Sequence, residues 1–225
     1  MPEPHPRGRG TAENPPNRFE RLSYEFEPEC VSEGYGRPTE FFREPSRSII
    51  SFNAILTMDA GAAAGYIYEY QRFERPRSFL APQDLAAIGI GYPLGLGAKL
   101  TCPDRPVVTI SGDGAFLCNG AELETAIREK LNTVCIILNN HNLGSERAYQ
   151  RHYYNERYIG DTIGNPRFDE YARSFGAVGF RVEEPGDLDD VFAEAMKQDR
   201  PVLVDVICDP DIYPAPRRKD AVKAR

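Results

Sequence analysis

A chain of 225 residues carrying 27 basic against 34 acidic side chains, net charge −7, is long enough for one substantial core, and its acidic balance argues against a general nucleic-acid or polyanion surface. No apolar stretch approaches the roughly 20 residues that cross a bilayer, and no apolar run follows the basic first residues as it does in a secretory signal. The five cysteines, Cys30, Cys102, Cys118, Cys135 and Cys208, include no Cys-x-x-Cys pair, so a reduced, cytoplasmic protein without disulfides or zinc is expected, partnered with neither nucleic acid nor membrane.

In chain order, residues 1–47 are rich in Pro, Arg and Glu and lack a sustained hydrophobic period. They read as an irregular leader, in which Phe41-Phe42 is a candidate for docking onto the body. From residue 48 to 225 the texture is that of a second unit. A strand is expected over 49–58, a helix over 62–72, a helix over 85–100, a strand over 107–110 and a helix over 119–130. A strand over 134–138, a helix over 168–175, a strand over 179–182, a helix over 187–197 with Asp187 as N-cap, and a strand over 202–207 complete the series. Alternation of this kind predicts an α/β fold, a parallel sheet flanked by helices on both faces. Residues 144–165, rich in tyrosine and charge but without clear period, read as a partly helical loop over the site.

Two strand ends carry the chemistry. Gly112-Asp113-Gly114 closes the strand over 107–110 and opens a helix, and Asn139-Asn140 closes the strand over 134–138. Open α/β sheets bind ligands at their carboxyl edge. An Asp carboxylate and an Asn amide at neighbouring strand ends, beside a glycine turn and a helix N-terminus, suit a divalent cation holding a diphosphate. Singly, Asp113 is equally a helix N-cap and Asn140 a turn former. His141 and His152 are candidate acids or bases, with no carboxylate partner evident in the sequence. The glycines at 89, 91, 95 and 97 lack the spacing and later acidic residue of a dinucleotide fingerprint, and Gly97-Ala98-Lys99 lacks the Gly-Lys-Ser/Thr of a P-loop.

Asp113 and the second Asn stand 140 − 113 = 27 positions apart. Around them lie Asp59-Ala60-Gly61, Arg75-Pro76-Arg77-Ser78-Phe79, Gly91-Tyr92-Pro93, Gly97-Ala98-Lys99, Pro103-Asp104-Arg105-Pro106, Glu122-Leu123 and Leu143-Gly144. This ordered set resembles the thiamine diphosphate-dependent enzymes, in the branch of acetolactate synthase and sulfoacetaldehyde acetyltransferase. The resemblance implies Mg2+ held by Asp113, Asn140 and the carbonyl of Asn142. It implies a diphosphate facing the backbone of Gly112, Gly114, Ala115 and Gly144 on one side and of Gly61, Ala62 and Ala63 on the other. The residues after that first glycine are polar and longer in acetolactate synthases, so Ala62 and Ala63 leave main-chain contacts only. Main-chain groups of Ala86 and Ile88 are implied to meet the cofactor's pyrimidine, with the Ile88 side chain as the wedge beneath the bent cofactor.

By the same resemblance the substrate is a small 2-oxo acid or related carbonyl donor, cleaved beside its carbonyl group, with the remaining fragment passed to a proton or an acceptor. Family enzymes take a glutamate from a pyrimidine-binding domain. The chain has no room for that domain before residue 50, so the expectation is a companion subunit, a homo-oligomer, or a truncated product. Tyr213-Pro214 looks like acetolactate synthase. Gly144-Ser145-Glu146-Arg147, Tyr154-Asn155-Glu156-Arg157 and the tail Arg217-Arg218-Lys219-Asp220-Ala221 look more like sulfoacetaldehyde acetyltransferase. A module that kept the pocket without the chemistry is the non-enzymatic alternative.

Overall fold

Side chains alternate across a strand, so a strand buried on both faces must be apolar at every position. Val108 and Ile110 enter one buried cluster with Val134, Ile136, Leu138, Val202, Val204 and Val206. Cys135, Ile137 and Leu203 enter a second cluster on the opposite face. The computed structural model describes residues 53–212 apart from 72, 74 and 83. The leader at 1–47 with Phe41-Phe42, the beginning of the strand expected at 49–58, Tyr213-Pro214 and the basic tail at 217–221 lie outside the described residues.

The strands are β1 (Ile55–Met58), β2 (Phe79–Leu80), β3 (Val107–Gly112), β4 (Val134–Asn139), β5 (Val178–Val182) and β6 (Val202–Ile207). They form one six-stranded sheet in the order β2-β1-β3-β4-β6-β5, and every pairing is parallel. Helices α1 (Ala62–Tyr70) and α7 (Leu188–Ala195) bury Ala63, Ala64, Tyr66, Ile67, Leu188 and Phe192 on the first face. The second face is covered by α2 (Gly91–Thr101), α3 (Asp113–Asn119), α4 (Leu123–Arg128) and α6 (Phe168–Ser174), through Tyr92, Leu96, Phe116, Leu123, Ala126, Phe168 and Ala172. Helix α5 (Gly144–Tyr153) buries no residue. The architecture is the α/β sheet with helices on both faces that the alternation predicts.

Strand β1 sits between β2 and β3, so the chain leaves β1 for one face and β3 for the other. The two loops diverge and open a crevice at the carboxyl ends, the switch point where open sheets take ligands.

Several boundaries differ from expectation. The helix expected over 85–100 begins only at Gly91, because residues 85–90 form a loop that passes through positive φ at Ala86 (48°) and Gly89 (86°). The helix expected over 119–130 is instead α3, a 3-10 turn at Gly120–Glu122 and α4. The Phe116 ring lies where a side chain on Gly120 would project. Strand β2 was not expected; two residues are too few to carry a period. Asp187 precedes α7 but sits in a 3-10 turn and makes no capping hydrogen bond. Among the described residues no helix is long and apolar enough to cross a membrane.

Helix α2 lies close on β1 and β3. Thr57 Oγ1 donates to the Gly91 carbonyl at 3.1 Å and meets Thr109 Oγ1 at 2.7 Å. A Cβ on Gly91 would stand 2.7 Å from the Asp59 nitrogen and 2.8 Å from the Met58 carbonyl carbon, whereas one on Gly97 would meet nothing within 4 Å. Gly91→Ala is therefore expected to cost about 2 kcal/mol or more through a backbone clash, and Gly97→Ala to be neutral or to gain up to about 1 kcal/mol. Urea unfolding of the two variants beside wild type checks both signs.

Candidate functional site

One cavity of about 280 Å³ opens at the carboxyl ends of β1, β3, β4 and β6. All twelve residues that the resemblance implies for the cofactor stand on its wall: Gly61, Ala62, Ala63, Ala86, Ile88, Gly112, Asp113, Gly114, Ala115, Asn140, Asn142 and Gly144; the candidate His141 does not. Tyr66, Leu143, Ser145, Glu146, Cys208 and Ile212 also line it. His152 lies on the exposed side of α5, away from this wall.

The loop after β1 is held by a residue to which sequence reading gave no task. Asp59 has no exposed surface. Its Oδ1 accepts from the backbone N–H of Ala60 at 2.9 Å and of Gly89 at 2.8 Å. Its Oδ2 accepts from the Gly91 N–H at 2.9 Å and from Ser111 Oγ at 3.4 Å. Burial pushes this carboxyl upward, against the pull of those donors. Gly61 follows at φ 100°, a left-handed conformation that suits glycine, and α1 begins at Ala62 with no side-chain cap. Its first amides lack intrahelical acceptors, and Ala62 and Ala63 line the cavity.

The loop after β3 starts α3 at Asp113, which is 2% exposed. Its Oδ1 accepts from the Gly114 N–H at 2.9 Å and its Oδ2 from Asn165 Nδ2 at 2.7 Å. Burial raises this carboxyl, and Asn165, the Gly114 N–H and His141 oppose the rise. A side chain on Gly114 would run into Leu143, 2.6 Å away, so glycine lets the loop after β4 close over the start of α3.

After β4 the backbone turns through the left-handed region at His141 (φ 57°). Asn140 Oδ1 accepts from the Asn142 N–H at 3.1 Å. Residues 141–143 pair antiparallel with 161–163: Leu143 N–H donates to the Asp161 carbonyl at 2.6 Å and Ile163 N–H to the His141 carbonyl at 3.0 Å. In a pair of this type the central residue's own N–H and C=O point away from the partner strand. Asn142, which lines the cavity, is that central residue. The segment at 144–165, expected as a partly helical loop, is thus a ten-residue helix followed by a return strip tied to the site loop.

Beneath these loops runs a polar chain absent from the sequence reading. Asn165 Nδ2 also donates to Asn139 Oδ1 at 2.8 Å, and Asn139 Nδ2 donates to Asp205 Oδ1 at 2.9 Å. Asp205 Oδ2 accepts from Arg181 Nη1 at 2.6 Å. Asp205 was visible as a lone charge inside the apolar run Val202–Ile207, and Asn165 as part of the turn signal Asn165-Pro166.

The wall is electrostatically one-sided. Among the described residues its charged side chains are the carboxylates of Asp113 and Glu146, with no Lys, Arg or His. The first turns of α1, α3 and α5 all contribute to it, and helix N-termini favour anions. No group of three His, Cys, Asp or Glu stands together among the described residues. The Asp113 carboxylate with amide and main-chain oxygens nearby is too hard and sparse a set for zinc and would suit Mg2+.

The family model described as "Thiamine pyrophosphate enzyme, C-terminal TPP binding domain" matches residues 59–206. Acetolactate synthase of Bacillus subtilis is 36% identical over 172 residues, 76% of this chain and 30% of the relative. Sulfoacetaldehyde acetyltransferase of Alcaligenes xylosoxydans xylosoxydans is 28% identical over 192 residues, 84% of this chain and 32% of the relative. Among solved structures, the thiamine diphosphate-dependent 4-hydroxybenzoylformate decarboxylase of Rhodococcus jostii RHA1 superposes with a TM-score of 0.73 at 25% identity, covering 82% of this chain and 35% of that one. The chain therefore spans about a third of the length of these relatives. It belongs to the thiamine pyrophosphate enzymes, and residues 59–206 are a C-terminal TPP-binding domain of that family.

Proposed function

We propose that the cavity binds the diphosphate of thiamine diphosphate through one Mg2+, as the cofactor-holding part of a carboligase or decarboxylase resembling acetolactate synthase. The observation that carries this reading is the cavity's charge among the described residues: two carboxylates, no basic side chain, and three helix N-termini on one wall. A bare diphosphate would be repelled by Asp113, whereas a diphosphate carrying a divalent cation is held by both. Asp113, the Asn140 amide oxygen and the Asn142 carbonyl are the metal ligands. The amides of Gly61–Ala63 and of Gly114, Ala115 and Gly144 receive the phosphate oxygens. Ala86 and Ile88, on the loop held by Asp59, meet the pyrimidine.

When bound, the cofactor supplies the carbon nucleophile that attacks the carbonyl of a 2-oxo acid or related donor. This chain's residues place it, hold its charge and exclude water from its diphosphate. Transfer of the fragment to an acceptor, as in a sulfoacetaldehyde acetyltransferase-like component, is the second reading. It is favoured by Gly144, Ser145 and Glu146, which stand on the wall. The pyrimidine's other contacts come from a separate domain, a companion subunit or a second copy packed over the open side of the cavity. Leu85, Ile88 and Ile90 are 93%, 48% and 42% exposed there, and clustered apolar exposure marks interaction surface.

Calorimetry with thiamine diphosphate tests the metal assignment. Wild type is expected to bind only when Mg2+ is present, and Asp113→Ala to lose detectable binding; equal affinity in both, or binding unaffected by a chelator, contradicts it. Sedimentation at micromolar concentration tests the open face. Self-association that Leu85→Asp with Ile90→Asp relieves is expected, and a wild-type monomer at all concentrations speaks against a face built for a partner.

A further inference from the structure

We infer that Asn165 is the positioning residue of the cation site, holding the Asp113 carboxylate in the orientation that selects Mg2+. This rests on the metal reading of Asp113 proposed above.

The inference starts from the direction of the hydrogen bonds. Asp113 and Asp205 stand at the two ends of a four-residue chain, and an ionised carboxylate only accepts. Asn139 must therefore turn its Nδ2 toward Asp205 Oδ1, at 2.9 Å, which leaves its Oδ1 as an acceptor. Asn165 must turn its Nδ2 toward that oxygen, at 2.8 Å, and toward Asp113 Oδ2, at 2.7 Å. Either amide reversed would set oxygen against oxygen, so both orientations are fixed by the terminal carboxylates.

The arrangement leaves a mark. Asn165 Oδ1 is buried and has no hydrogen-bond partner among the described residues. An amide that gives up its acceptor inside the protein in order to donate twice is held there by what it donates to. The far end is firm, since Asp205 has no exposed surface and is held by Arg181 Nη1 at 2.6 Å and the Phe168 N–H at 3.4 Å. Asp113 Oδ1 is engaged by the Gly114 N–H at 2.9 Å. With a donor on each oxygen, the carboxylate plane cannot rotate freely. Asp113 lines the cavity.

Mg2+ demands near-octahedral geometry from its ligands, whereas Ca2+ tolerates irregular sets. A loosened Asp113 should therefore cost Mg2+ far more than Ca2+, a signature that a loss of general stability does not produce. Outer partners of metal ligands typically change affinity by about 10- to 100-fold.

The experiment is calorimetric titration of MgCl2, and separately CaCl2, into the full chain at saturating thiamine diphosphate. It compares wild type, Asn165→Ala, Asn165→Ser and Asp113→Ala, with melting curves of each metal-free protein. Asn165→Ala is expected to weaken Mg2+ by about 10- to 100-fold and Ca2+ much less, so that the Mg2+/Ca2+ preference falls. Asn165→Ser, which keeps one donor, should lie between, and it carries the test if the alanine variant does not fold. Loss of binding in Asp113→Ala with wild-type affinity and preference in both Asn165 variants overturns the inference and leaves the metal reading intact. Binding in Asp113→Ala equal to wild type overturns the metal reading itself.

Discussion

Both ends of the cavity hang from one buried carboxylate. Asp59 closes β1 and accepts hydrogen bonds from Ala60, Gly89, Gly91 and Ser111. The residues after it, Gly61–Ala63, form one wall, and the segment running into Gly89, with Ala86 and Ile88, forms another. Ser111 lies immediately before Gly112-Asp113, so the third strand end is tied to the same group. Asn119 Nδ2 fixes the loop from its other side by donating to the Gly89 carbonyl at 2.7 Å. Removing one partner from a buried charge leaves a cost of about 3–5 kcal/mol, and here three of the four partners are backbone N–H groups that local side-chain changes do not remove. The loop is held by electrostatics where no apolar face is available to hold it.

The same economy governs the anion. The nearby guanidinium on α5 is already taken: Arg147 bonds Asp161 Oδ2 at 2.8 Å and Asp211 Oδ1 at 2.9 Å and stacks over Tyr158 at 4.2 Å. Arg181 is likewise committed to Asp205. Arg147 and Arg181 thus fasten the return strip and β6, which on the proposed reading leaves the cavity its backbone dipoles for phosphate and its oxygen atoms for a cation.

Much of this was legible in the sequence for a physical reason. Strands β3, β4 and β6 are buried on both faces and so read as mainly apolar runs, and the residues that end them sit where the sheet opens. Helix α2 was misread over 85–90 because its start is set by Asp59, some thirty residues away in sequence, which claims the Gly89 and Gly91 N–H groups. Helix α5 escaped because it buries no residue and hence shows no apolar stripe. Strand β2 has only two residues. Asn139, Asn165 and Asp205 were missed as a unit because their partners are brought together only by strand pairing and the loop that returns to Asp113. Composition names the parts of such a network, but only the topology assembles it.

The most direct measurement is a crystal structure of the chain grown with saturating thiamine diphosphate and Mg2+. The expected result is a cation bound to Asp113 and Asn140, with the diphosphate spanning the first turns of α1 and α3. Diphosphate density elsewhere on the molecule, or a cavity filled without any contact to Asp113, would contradict it.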